Sequence, residues 1–170
     1  MTDSLFRKHT KILLRKISLT GRVVDLGGCR DADYHRFMVK NGEVTIVNLD
    51  SKTKPDLVCN LEEPLPLETG SFNAVLLINV LEHIYHYERV LKEAARIIRA
   101  GGEVVAVVPF LHPIHAAPND YFRYSKSALK RLFIDNGFHL VMVTEIGGGV
   151  NLALVNLINR FLPAPLMVLI

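Results

Sequence analysis

Two acids and a pair of glycines stand at spacings suited to gripping a nucleoside. The apolar run Val23-Val24-Asp25-Leu26 leads into Gly27-Gly28, and a second run, Val44-Thr45-Ile46-Val47-Asn48-Leu49, ends in Asp50. Glycines let a ligand approach bare main chain. An acid at the end of the following strand can accept hydrogen bonds from a ribose diol. An apolar strand, a glycine turn, a helix and a strand ending in an acid open the α/β folds that bind dinucleotides or S-adenosylmethionine. A second group of reactive side chains lies further along: Glu82-His83, then His112, His115, Asp120, Tyr121 and Arg123. Imidazole takes protons near neutral pH, so His83, His112 and His115 are the candidate catalytic residues, although Glu82-His83 could instead tie down a loop. His112, His115 and Asp120 also have metal-binding chemistry. Two prolines among them and no helical His pair count against it. The expectation is a lid over a substrate, with Asp120, Tyr121 and Arg123 as its contacts and no metal.

These residues must be positioned by the elements around them. Residues 4–18 read as an amphipathic helix with Leu5, Ile12, Leu13 and Ile17 apolar. Strands are expected at 22–26, 44–49, 56–59, 74–78, 103–108 and 138–146. Helices are expected at 31–40, 86–99 and 125–136. Asp31 and Asp33 suit the start of the first of these, Asn41-Gly42 and Gly101-Gly102 suit helix ends, and Ser125 suits a cap. The continuous apolar run Ala74-Val75-Leu76-Leu77-Ile78 fits a strand covered on both faces. Alternating strands and helices imply a Rossmann-like, doubly wound, mostly parallel sheet. The right-handed crossover then puts a ligand at the carboxyl ends of the first, second and fourth strands.

Size and composition narrow the partners. A chain of 170 residues, 49% hydrophobic and 22% charged, can bury the core of one globular domain. A formal charge of +3 without a dense basic block argues against nucleic acid. Two isolated cysteines, Cys29 and Cys59, make neither a disulfide scaffold nor a zinc set, which suits a cytoplasmic setting. Met1-Thr2-Asp3-Ser4 lacks the features of a signal peptide. Residues 150–170 are mostly aliphatic but broken by Asn151, Asn156, Asn159, Arg160, Pro163 and Pro165. A spanning helix wants about 20 unbroken apolar residues. The segment therefore reads as a helix packed on the domain or on a second copy, a homodimer contact, with peripheral membrane association as the alternative. Three regions result: an N-terminal helix (1–20), the nucleoside-binding domain (21–149) and the apolar C-terminal segment (150–170).

The choice of nucleoside turns on the glycines. A dinucleotide fingerprint needs G-x-G-x-x-G, whereas Gly27-Gly28-Cys29-Arg30-Asp31-Ala32 has the wrong spacing and places an acid beside the would-be pyrophosphate. A phosphate-binding G-x-x-x-x-G-K-[ST] loop is absent. Together with Asp50, the stretch Ser71-Phe72-Asn73-Ala74-Val75-Leu76-Leu77-Ile78-Asn79-Val80-Leu81-Glu82-His83-Ile84 and the turn Arg99-Ala100-Gly101-Gly102 resemble class I S-adenosylmethionine-dependent methyltransferases of the type 11 branch. The resemblance covers residues 22–147 and implies S-adenosyl-L-methionine as cofactor. It implies that Asp25, Gly27 and Gly28 border the methionine moiety, that Asp50 holds the ribose, that Asn60 and Leu61 contact adenine, and that Asn79 lies beside the methionine amino group and sulfonium. It also implies a final antiparallel strand, which the helical-looking sequence after Gly147-Gly148-Gly149 does not supply. Asn60 and Asn73 stand where the family often has Asp, and Asp31 where it often has Gly.

The resulting expectation is methyl transfer to a small-molecule or glycan-type acceptor, on O, N or C. A non-catalytic binding or scaffold protein on the same fold is the alternative, and a nicotinamide-dependent oxidoreductase the third.

Overall fold

The computed structural model describes residues 5–116, 118–140 and 142–145. The apolar runs become strands because each can be covered on both faces. Helix α1 (Leu5–Leu14) precedes β1 (Leu19–Leu26), and α2 (Tyr34–Met38) crosses to β2 (Val39–Asn48). The two-residue β3 (Leu57–Val58) and then β4 (Phe72–Ile78) follow, and α3 (Tyr87–Ile97) crosses to β5 (Ile98–Val107). Helix α4 (Lys126–Asp135) comes after a long loop. Among the described residues the strands form one sheet in the order β3-β2-β1-β4-β5, every pairing parallel.

Alternation along the strands divides the core between the two faces. Val24, Val75 and Leu77 pack on Val90, Leu91, Ala94 and Ile97 of α3 and on Phe133 of α4. Val23, Ala74 and Leu76 pack on Leu14 of α1 and Met38 at the end of α2. The doubly wound expectation holds. The order reverses between β1 and β4, and a ligand crevice opens outside the carboxyl ends of the strands at such a reversal.

Several local expectations fail for one physical reason: pairing across the sheet overrides local turn signals. The helix expected at 31–40 shrinks to Tyr34–Met38 because β1 starts at Leu19 and its ladder takes up the following residues, pairing Leu19 with Val39 and Gly21 with Gly42. Asn41-Gly42 is part of β2 rather than a helix end, with Asn41 at φ 51°. Asp33 makes no side-chain cap and pairs instead with Lys11 at 2.5 Å. Gly101-Gly102 likewise lies inside β5, at a bulge where the register jumps from Phe72–Ile98 to Ala74–Glu103. A Cβ on Gly102 would come within 2.8 Å of the Asn73 carbonyl oxygen, so the bulge needs glycine there. The strand expected at 138–146 is not formed over its described residues, 138–140 and 142–145. Ser125 caps α4 as expected, its Oγ accepting from the Ala128 amide at 3.2 Å. No helix among the described residues is long and apolar enough to cross a membrane. The segment 150–170 lies outside the described residues.

Candidate functional site

The bend after β1 is built around a buried acid. Asp25 is fully buried; its Oδ2 accepts from the Tyr34 hydroxyl at 2.7 Å and meets His35 Nε2 at 2.6 Å. Burial, then the Asp25 charge, push the Tyr34 hydroxyl far above its ordinary value, so it stays protonated and donates. Asp25 Oδ1 is buried without a partner. Gly27 has φ +86°, and a Cβ there would sit 2.5 Å from Val80 Cγ2. A Cβ on Gly28 would overlap the Asp25 carboxylate. The diglycine therefore holds the main chain flush against its neighbours.

Asn48, which sequence reasoning missed, fastens this bend to the end of β2. Its Nδ2 donates to the carbonyls of Gly27 and Gly28 at 2.9 and 2.8 Å, and its Oδ1 accepts from the Asp50 amide at 2.9 Å. One side chain thus sets the spacing between glycine turn and ribose-binding candidate. Its only signal in the sequence is a polar residue interrupting an apolar run. Arg30 adds an outer strut, pairing with Asp56, whose Oδ2 accepts from the Ile46 amide at 2.8 Å. Asp50 itself is exposed and caps a 3-10 turn, Ser51–Thr53, through the Lys52 amide at 2.9 Å.

The remaining cofactor candidates differ in what they present. Asn60 is exposed and its Oδ1 accepts from the Glu62 amide at 3.1 Å, while the Leu61 side chain packs into the core. Asn79, just beyond β4, has φ 54°, a left-handed conformation uncommon outside glycine. Its amide donates to the Val107 carbonyl at 2.8 Å, and its Oδ1 is buried without a partner.

The loop after β5 docks on the turn after β4. The amides of Tyr121 and Phe122 donate to the Glu82 carbonyl at 2.7 and 3.3 Å, His83 Nδ1 bonds the Asn119 carbonyl at 2.5 Å, and the Tyr124 hydroxyl donates to the Leu81 carbonyl at 3.1 Å. These bonds bring His83 and His115 together with ring centroids 5.0 Å apart, and His112 stands 4.5 Å from His115. Asp120 and Arg123 form a two-pronged ion pair that braces the loop from inside. Tyr121 stays 45% exposed. Glu82 is fully buried between these elements, and burial pushes its carboxyl up to about 7. A hollow of about 390 Å³ lies against the loop, lined in part by His112, Asp120, Tyr121 and Arg123.

Comparison with known proteins agrees with this architecture. The profile of the family described as "Methyltransferase domain" matches residues 24–106, from β1 through β5. Over that stretch the chain is similar to S-adenosylmethionine-dependent methyltransferase domains, and the solved structures that share its fold are methyltransferases. The cofactor of this family is S-adenosylmethionine. No curated protein matches the sequence. Among solved structures, the chain resembles one in the complex between the Haloferax volcanii Trm112 methyltransferase activator and a methyltransferase, with 20% identity over 81% of this chain and 71% of that one and a TM-score of 0.64. It also resembles the Burkholderia thailandensis 1,6-didemethyltoxoflavin-N1-methyltransferase, with 18% identity, 84% and 71% coverage and a TM-score of 0.64. The Haemonchus contortus phosphoethanolamine N-methyltransferase 2, solved with S-adenosyl-L-methionine, gives 17% identity, 78% and 36% coverage and a TM-score of 0.57, so the chain spans about a third of that enzyme.

The molecule keeps its candidate residues on one edge of the sheet. Gly27-Gly28, Asp50 and Asn79 follow β1, β2 and β4 directly, and the histidine-bearing loop follows β5. An exposed carboxylate and an unpartnered amide oxygen at the switch point fit an adenosyl amino acid, which brings hydroxyls to pair with Asp50 and an ammonium to pair with Asn79.

Proposed function

We propose that this chain is an S-adenosylmethionine-dependent methyltransferase acting on a small-molecule or glycan-type acceptor held beneath the loop 110–124. The observation that carries the reading is the docking of that loop on Leu81, Glu82 and His83, which brings imidazoles to the turn after β4, while the loop's own residues line a hollow. S-adenosylmethionine, when bound, supplies an electrophilic methyl group with a good leaving group. Gly27, Gly28 and Asn79 would hold its amino-acid end, Asp50 its ribose, and Asn60 with the Leu61 backbone its adenine. The protein's remaining task is to align the acceptor and exclude water. Tyr121 supplies an exposed aromatic face for the acceptor, while Asp120 and Arg123 keep the loop in place. His112 is the side chain offered to an acceptor proton, with His83 and His115 able to serve only while their Nε2 atoms carry no other ligand.

The Haloferax neighbour was solved with an activator protein and the Burkholderia neighbour with its small-molecule substrate, so both a free and a partner-assisted form belong in the assay. Thermal-shift measurements with S-adenosylhomocysteine and NAD side by side test the cofactor, and a rise with NAD alone would refute the assignment. Replacing Asp50 with Ala is expected to weaken S-adenosylhomocysteine binding by about 1–3 kcal/mol, the cost of unpaired polar groups. Asp50→Asn, which retains an oxygen for the Lys52 amide, separates ribose binding from turn capping. Unchanged affinity by titration calorimetry in both variants removes Asp50 from the site.

A further inference from the structure

Glu82 is a buried carboxylate with nothing to bind. It has 0% exposure, and neither Oε1 nor Oε2 has a hydrogen-bond partner. A group this desolvated is normally paired, protonated or coordinated to a metal. Its nearest cationic candidate, His83 Nε2, stands 3.7 Å from Oε1, beyond hydrogen-bond reach.

Both neighbouring imidazoles are held as metal ligands are. His83 Nδ1 is turned to the Asn119 carbonyl at 2.5 Å, which keeps the ring proton on Nδ1 and leaves Nε2 with its lone pair. His115 Nδ1 is turned to the Pro113 carbonyl at 3.2 Å and to Asp120 Oδ2 at 3.3 Å, which leaves its Nε2 free in the same way. Ligating histidines characteristically donate their second nitrogen to a carbonyl or carboxylate, which fixes ring and tautomer. One ligand atom from each of Glu82, His83 and His115 lies within 4.8 Å of the other two. An ion at the centre of such a triangle is within about 2.8 Å of each corner, so an inward shift of under about 1 Å reaches the usual ~2.0–2.2 Å ligand distances.

We propose that Glu82, His83 and His115 form a binding site for a divalent transition-metal cation. Two imidazoles and one carboxylate suit zinc and its first-row neighbours better than calcium or magnesium, which prefer all-oxygen sites. Three protein ligands leave one position of a tetrahedral set open. The His115 side chain, 36% exposed, is the wet corner of the triangle and adjoins the loop residues that line the hollow. A ligand entering from there would complete the coordination. For an acceptor bearing a hydroxyl or carboxylate, the cation would orient the oxygen and acidify a bound hydroxyl; this use of the site rests on the methyltransferase reading, whereas metal binding does not. The set differs from His112, His115 and Asp120, whose metal-binding chemistry the two intervening prolines count against: Asp120 is committed to Arg123.

The test uses the full chain stripped with a chelator and titrated with Zn²⁺ against a chromophoric competitor. One equivalent should bind with a micromolar or tighter Kd. His115→Ala and Glu82→Gln should each weaken it at least about tenfold, while the exposed His139→Ala should not. His115 lies on the surface loop, so its variant should keep the parent melting temperature even if Glu82→Gln lowers it. Co²⁺ in place of zinc should give a tetrahedral ligand-field spectrum. Sub-stoichiometric binding, an affinity indifferent to His115→Ala, or thiolate charge-transfer bands pointing to Cys29 or Cys59 would overturn the proposal. S-adenosylhomocysteine titrated in parallel keeps the two readings apart. Zinc binding without cofactor binding counts against methyl transfer alone, and cofactor binding without zinc binding counts against the metal site alone.

Discussion

Gly28→Ala is expected to destabilise the protein by at least about 3 kcal/mol and to abolish measurable cofactor binding. The new Cβ would occupy the space of the Asp25 carboxylate, which must then leave Tyr34 and His35 or push the turn outward. Overpacking alone costs about 1–3 kcal/mol, and a buried carboxylate separated from its partners adds to that. For a chain of this size the melting temperature should fall by roughly 6–12 °C. The cause is checked by a double-mutant cycle. With Asp25→Ala already in place, the collision is gone and Gly28→Ala should cost under about 1 kcal/mol more. A Gly28→Ala protein as stable as the parent would mean that the turn is not packed on Asp25. The cofactor consequence follows from the same geometry, because Asn48 holds Gly27, Gly28 and Asp50 as one unit. A turn pushed outward moves relative to Asp50, the acid proposed to hold the ribose.

What could be read in advance was whatever depends on residues close in sequence. The apolar runs of β1, β2 and β4, the glycine bend, the acid after β2 and the loop after β5 were all legible because type and spacing carry them. The core was legible too, since period-two alternation and a continuous buried run leave few alternatives. Boundaries failed where a local signal met a long-range competitor. Asn41-Gly42 and Gly101-Gly102 resemble helix terminators, yet the parallel ladders of β1 and β4 draw both into strands. Sequence patterning has no term for a partner strand tens of residues away.

The same limit explains the site. Asp50 and the glycines announce themselves, but Asn48 becomes a fastener only once β2 lies beside β1. Tyr34 and His35 look like ordinary helix residues until α2 sets them over Asp25. Glu82-His83 is visible as a pair. That Glu82 loses all its water, and that His115 arrives beside it from more than thirty residues away, depends on where the loop after β5 lands.

That landing depends on Asp120, and Asp120→Ala is expected to cost about 3–5 kcal/mol. Its side chain is 1% exposed, and its oxygens take Arg123 Nη1 and Nη2 and the His115 amide, the last at 2.8 Å. Arg123 in turn donates to the carbonyls of Phe122 and His112 at 2.8 and 3.2 Å, so the pair ties both ends of the loop together. Removing the acid leaves a guanidinium only 23% exposed without its counter-charge, and leaves His115 without its anchor. Arg123→Ala should cost a similar amount, and the double variant less than the sum, because the second deletion no longer strands a charge. The pH dependence has a definite sign. Hydrogen bonds from Arg123 hold the Asp120 carboxyl below its ordinary value of 3.8. A depressed native value means that the unfolded chain binds more protons, so this contribution is present in full above pH 3.8 and is lost as the pH falls through the lower native value. Urea unfolding of the parent and Asp120→Asn should therefore show a constant stability gap from neutral pH down to about pH 4, narrowing only in stronger acid. A gap that closes already between pH 7 and pH 5 would show that a histidine, not the Arg123 pair, fastens the loop on the turn after β4.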